Sequence, residues 1–127
     1  MDIYREEILE HWQNPSNWGT LTNFDLEAEV INPLCGDKIK FQAKLCDERL
    51  TIDDIRFTGS GCAISIASAS ILSENIKNKR LAKIRSLKGE DVLTMIGASY
   101  DSFPPARLKC AFLGLEALKR LANRVKS

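Results

Sequence analysis

The chain has 127 residues, 44% of them hydrophobic and 28% charged, an ordinary globular mixture that suits one domain over residues 1–127. With 18 basic against 17 acidic residues the formal net charge is +1, which leaves neither the basic footprint of a nucleic-acid binder nor a polybasic run for a membrane surface. No apolar stretch approaches the ~20 residues of a membrane span, and the opening MDIYREEILEHW is acidic and helical in pattern rather than a signal peptide, so a reducing cytoplasmic setting is expected.

The elements follow from changes of period. Ile3, Tyr4, Ile8 and Trp12 are spaced for a short amphipathic helix, which NPSNWG ends. From Phe24 the period becomes two: Phe24, Leu26, Ala28 and Val30 alternate with acidic residues, a half-buried strand. Ile39, Phe41, Ala43 and Leu45 repeat the pattern against Lys38, Lys40, Gln42 and Lys44, and CDERL supplies a turn. Leu50 and Ile52 open a third strand that Ile55 and Phe57 continue one residue out of phase, so the Asp53-Asp54 doublet reads as a bulge.

The period then becomes helical. GSGCAISIASASILSENI carries Ile64, Ala67, Ile71 and Leu72 among small residues, as expected of a helix packed closely on a sheet. GEDVLTMIG is a shorter helix stopped by Gly97. SFPP breaks the chain, and a long helix follows with Pro105 in its first turn and the stripe Leu108, Ala111, Leu115, Leu118, Ala122 and Val125. The predicted fold class is α+β: a three-stranded antiparallel sheet with helices packed on one face.

Three of the four cysteines stand at element boundaries. Cys35 lies in the turn after the first strand, Cys62 opens a helix after GSG, and Cys110 falls in the first two turns of the last helix. A helix start favours thiolate over thiol. No CxxC pair is present, so a zinc ribbon or thioredoxin-type site is not indicated. If the fold brings the three sulfurs together, a nearby carboxylate completes a four-ligand set, and Asp37, two residues from Cys35, is the candidate. Such a set suits tetrahedral zinc or iron–sulfur chemistry. The competing reading is three unrelated buried cysteines, because the spacings are long and cysteine is a common small core residue.

These residues resemble the U-type iron–sulfur cluster assembly family, the SufU, IscU and NifU N-terminal-domain proteins, over nearly the whole chain. HWQNPSNWG is similar to the family's N-terminal segment; NPLCGD, DIRFTGSGCAISIASAS and PPARLKC are similar to its three cysteine motifs, in order. The resemblance implies a three-stranded sheet with helices on one side. It also implies Cys35, Asp37, Cys62 and Cys110 as ligands of a zinc ion or a nascent 2Fe–2S cluster, and Cys35 and Asp37 as the residues that act in sulfur transfer. A cysteine desulfurase would deliver the sulfur, and acceptor apo-proteins would receive the product. The alternatives are a zinc-dependent sulfurtransferase that builds no cluster, or a structural zinc domain.

Lys109 stands where IscU and NifU chains carry a histidine, which is SufU-like, as are GCAISIASAS and ARLKCA. The long insertion of SufU chains before the third cysteine is mostly missing, and the double proline in FPPARLKC is similar to the chaperone-binding stretch of IscU, so an Hsp70-type chaperone would meet Phe103–Arg107. From the helical wheel, Lys109 is a solvated lysine beside Glu116 and Arg120, or else a cation tuning the thiolates. Cys46 reads as an exposed bystander and His11 as a surface or packing residue. Phe112 and Leu113 form an apolar pair that touches a partner or is buried under a loop.

Overall fold

The structure is a computed structural model that describes residues 3–125 apart from positions 47 and 49. Its elements are helix α1 (Ile3–Gln13), strands β1 (Leu26–Ile31), β2 (Lys38–Leu45) and β3 (Ile52–Ser60), then helices α2 (Ala63–Ile76), α3 (Leu81–Ser86), α4 (Gly89–Ile96) and α5 (Pro105–Ala122). The strands form one antiparallel sheet in the order β1-β2-β3. The side chains of Ile3 and Tyr4, half of the stripe expected on α1, lie outside the described residues, as do two positions of the CDERL turn.

Alternation explains the sheet. Leu26, Ala28 and Val30, Ile39, Phe41 and Ala43, and Ile52, Ile55 and Phe57 are all buried on the face that receives α2 and α5. Phe24 precedes β1 and is exposed, because pairing begins at Leu26 opposite Ala43 and the Asp25 carboxylate turns back to accept from the Leu45 N–H at 2.8 Å. The aspartate doublet is where β3 changes phase: Lys44 pairs with Asp54 but Leu45 with Ile52, so Asp53 is the extra residue. Leu50 lies outside the strand, at φ +58°. At the free side of β3, Phe57 donates to Asn17 O and accepts from Gly19 N, both at 2.9 Å, and Trp18 stacks edge-on against the Phe57 ring. On the opposite face the buried Gln42 accepts from Leu21 N and donates to Glu27, so its amide is satisfied.

α2 is buried over most of its surface, with Glu74 and Asn75 exposed. Its one-sided apolar stripe is weak because α1, α4, α5 and β3 pack around it. Four serines on it, Ser65, Ser68, Ser70 and Ser73, are buried. His11 on α1 is a packing residue here, with Nδ1 2.7 Å from Ser70 Oγ. The six-residue α3, which no periodicity announces, places Leu81 and Ile84 in the core. α4 ends at Gly97, which adopts φ +83°, the left-handed C-cap. Pro105 takes the first turn of α5, where its missing N–H costs nothing.

α2 and α5 are in close contact at Gly114, where an added Cβ would lie 3.2 Å from Ala69 Cα and 3.3 Å from Leu72 Cδ1. Gly114→Val is therefore expected to overpack this crossing and lower unfolding stability by about 1–3 kcal/mol, measured by urea denaturation.

Candidate metal centre

The loop between β1 and β2 is shaped by Asn32. Its N–H donates to Asp37 O and its carbonyl accepts from Gly36 N, both at 2.7 Å, while its side-chain oxygen accepts from Leu34 N at 3.1 Å. Gly36 supplies the positive φ of +75° that the turn needs. The loop exposes Leu34 and Cys35 but turns Asp37 inward, where its side chain is only 3% exposed.

Asp37 then meets the start of α2. Cys62 is the N-cap of that helix and makes no side-chain cap of its own. Instead the Asp37 carboxylate does the capping from another element: Oδ1 accepts from the Cys62 N–H at 3.3 Å, and Oδ2 accepts from the Ser65 hydroxyl at 2.6 Å. Gly61 makes room for it, since a Cβ there would fall inside the carboxyl group, and its φ of +137° favours glycine independently.

α5 brings the last thiol. Cys110 lies in its second turn, 2% exposed, with its sulfur 3.8 Å from the Ala106 carbonyl oxygen. One ligand atom from each of Cys35, Asp37 and Cys110 lies within 4.8 Å of the other two. The Cys62 thiol is not in that tight trio but adjoins it: its sulfur is 3.5 Å from Ser65 Oγ, and it interacts with both Asp37 and Cys110. None of the four cysteines is in a disulfide. A tetrahedral ion with bonds near ~2.3 Å needs donors about 3.8 Å apart. The trio is close to that spacing, and three sulfurs with one oxygen are a donor set for zinc or an iron–sulfur centre. Cys35, Asp37 and Cys110, with Cys62 beside them, therefore fit such a group.

The electrostatics agree with that chemistry. Burial pushes the Asp37 carboxyl up, but hydrogen bonds from Ser65, Cys62, Cys110 and Cys35 outweigh it and hold the group below the usual carboxylate range. Burial, reinforced by the neighbouring Cys62 and Asp37, pushes the Cys110 thiol up to about 12. A divalent cation at this point would reverse the second effect by stabilising the thiolate. Arg107, exposed on the first turn of α5, is held more firmly in its cationic form, first by Cys62 and then by Cys110. Ser65 and Arg107 were not marked out by the sequence as members of the site; only the spacing Cys62-x-x-Ser65, that of a helix N-cap and its third residue, hinted at the former.

The remaining candidates fall as follows. Lys109 is exposed and lines a groove of about 290 Å³ with Cys35, Arg107, Cys110, Asn32 and Leu34, so it is solvated and near the sulfurs at once. Phe112 and Leu113 do not form a surface pair: Leu113 is buried, and Phe112 packs under Gly89 and Tyr100, its ring centroid 6.3 Å from that of Tyr100. Cys46 is exposed at the other end of β2. Of Phe103–Arg107, Phe103 is buried and residues 104–107 are exposed.

Comparison with known proteins agrees with this geometry. The profile of the NifU-like N terminal domain matches residues 3–126. The zinc-dependent sulfurtransferase SufU of Bacillus subtilis is 36% identical over 93% of this chain and 88% of its own. The iron–sulfur cluster assembly scaffold protein IscU of Escherichia coli is 35% identical over 98% and 94%. Among solved structures, a putative cluster assembly scaffold for the SUF system from Fervidobacterium islandicum superposes with a TM-score of 0.78 at 25% identity, over 94% of this chain and 96% of that one.

The burial order makes a prediction about thiol chemistry. In metal-free native protein, Cys35 and Cys46 should react with a thiol reagent in a fast phase. Cys110 should react only slowly, being buried and protonated at neutral pH. Quantified labelling of Cys110→Ser is expected to leave the fast phase intact, whereas Cys35→Ser should lose about half of it.

Proposed function

Because the chain belongs to the NifU-like N-terminal domain family of iron–sulfur cluster assembly proteins, we propose that it accepts sulfur from a cysteine desulfurase and holds zinc or a nascent 2Fe–2S cluster on Cys35, Asp37, Cys62 and Cys110. The observation that carries this reading is the convergence of Cys35 and Asp37 of the β1–β2 loop with Cys110 of α5 to within 4.8 Å. The acceptor in this reading is Cys35, the most exposed of the three site thiols. Its thiolate attacks the outer sulfur of a donor persulfide. A new S–S bond forms on Cys35, the donor's S–S bond breaks, and the electron pair leaves with the donor cysteine as its thiolate, with no net oxidation. The bound metal would supply one thing, thiolates kept deprotonated yet exchangeable. Arg107 and Lys109 offset the negative charge that three thiolates and a carboxylate bring together. Asp37 is the ligand suited to leave, since a carboxylate is a harder donor than thiolate.

One observation favours the narrower reading of a zinc-dependent sulfurtransferase that builds no cluster. The position before Cys110 is Lys109 rather than a histidine, so no imidazole stands ready there to replace a departing ligand. A cytoplasmic setting suits either reading. An Hsp70-type chaperone would meet only the exposed part of Phe103–Arg107, and acceptor apo-proteins would receive sulfur or cluster at the face where Cys35 emerges.

The test is metal and acid-labile sulfide analysis of protein purified without oxygen, followed by desulfurase turnover and cluster transfer to an apo-protein. Bound zinc that supports turnover favours the sulfurtransferase, and a transferable cluster favours the scaffold. Zinc with no effect on either would leave a structural site.

Asp37 gives the sharper prediction. Asp37→Ala should fold but lose about 1–3 kcal/mol, because the α2 cap goes with it, and it should slow sulfur or cluster transfer more than that loss explains. Asp37→Cys should bind metal more tightly and transfer less, while Cys46→Ser should match wild type. Melting temperature, metal content and transfer rate for the three variants check this. Wild-type transfer rates in both Asp37 variants would reduce the residue to its capping role.

A further inference from the structure

We propose that Ser65 is a positioning residue of the centre: its buried hydroxyl fixes the Asp37 carboxylate in the orientation from which it meets the sulfurs. This rests on the reading of the four residues as a metal site and adds a residue that coordinates nothing itself.

Ser65 is fully buried and is the third residue of α2. Buried serines in helices commonly turn their hydroxyl back to a main-chain carbonyl of the preceding turn. Ser73 does so, donating to Ser70 O at 2.6 Å. Ser65 does not: its hydroxyl points out of the helix to Asp37 Oδ2 at 2.6 Å and lies 3.5 Å from Cys62 Sγ. The other carboxylate oxygen takes the Cys62 N–H. One planar group is thus held at both oxygens by two donors from a single helical turn. Rotating the carboxylate would break both bonds, and Gly61 leaves just the space that the group fills, since a Cβ there would collide with it.

The two bonds differ in strength. The Ser65 contact is short and charge-assisted, while the amide contact is long. Removing the hydroxyl takes away the shortest, charge-assisted bond to the carboxylate and leaves Oδ2 without the donor that sets its direction. Groups that hydrogen-bond a coordinating side chain are typically worth about 10–100-fold in metal affinity, and Ser65 is placed to exert an effect of that kind.

The experiment is zinc competition titration of wild type, Ser65→Ala, Ser65→Thr, Asp37→Ala and the double variant Ser65→Ala/Asp37→Ala, with cobalt substitution to record the d–d absorption of the bound ion. Ser65→Ala should fold, since alanine is the better helix former, and should bind zinc about 10–100-fold more weakly with a shifted cobalt spectrum. Ser65→Thr keeps the hydroxyl and should stay near wild type. In the Asp37→Ala background the Ser65→Ala change should add no more than about twofold, because the group it positions is gone. An equal loss in both backgrounds, or no loss in either, overturns the role of Ser65 while leaving the metal site standing. A wild-type chain that takes up neither zinc nor cobalt overturns the metal site itself, and this inference with it.

Discussion

One buried carboxylate joins the two halves of the molecule. Asp37 ends the β1–β2 loop, and its main-chain carbonyl closes that loop on Asn32. Its side chain starts α2 by accepting from Cys62 and Ser65. An ionised carboxyl at this depth is costly unless it is fully hydrogen-bonded, so the loop, the glycine before Cys62 and the first turn of α2 must assemble together. The thiols inherit their positions from that joint. Cys35 is two residues before it, Cys62 donates to it, and Cys110 is delivered beside it when α5 packs against β1, β2 and α2. The same group that organises the protein fold is, in the proposed function, the ligand whose chemistry favours departure, so structural and transfer demands would meet in a single side chain.

α2 carries the second constraint. A central helix surrounded by other elements would ordinarily be apolar on every side, and this one is rich in serine. Most of those hydroxyls find partners elsewhere in the chain: Ser70 with Ser16 N and His11, and Ser73 with the Asn17 amide. Small residues let α5 and α1 come close, and the hydroxyls fix their register as they do so. Ser68 is the exception among the described residues, buried without a hydrogen-bond partner. α1 and the segment after it thus help to satisfy the helix that begins at the candidate metal centre.

The strands, the aspartate bulge, the start of α5 and the Gly97 stop were legible because each follows from a local rule: period two, phase reversal, proline at a first turn, glycine at a left-handed cap. Phe24 was misplaced because a strand begins where its partner can pair, and alternation alone does not see Ala43. α3 was missed because six residues carry too little periodicity. The site was legible as a set of residue types but not as a place, since the long separations between Cys35, Cys62 and Cys110 say nothing about distance. Ser65 and Arg107 were less legible still. A serine in a serine-rich helix and an arginine after two prolines look ordinary until the elements dock, and only then does one touch Asp37 and the other feel the sulfurs.

The bulge at Asp53 has a bearing on how this chain can vary in length. Facing in a sheet is counted in twos, and the extra residue lets Ile52 and Ile55 both turn inward while Asp53 and Asp54 remain on the outer side, where Asp54 pairs with Arg56 at 2.7 Å. Every residue after it inherits the new parity, through Phe57 in the core to Gly59, whose missing side chain accommodates the Lys38 backbone, and on to Gly61 beside the carboxylate. Deleting one residue of the doublet would remove the extra residue and leave Ile52 and Ile55 two positions apart, both facing inward in ordinary alternation, whereas a one-residue deletion between Ile55 and Ser60 would invert the facing and rotate the approach to Cys62. Insertions and deletions are cheap in the surface loops, and within β3 the doublet is the place where a single residue can be lost with the facing kept, while the stretch from Ile55 to the candidate metal centre can change its length only by even steps.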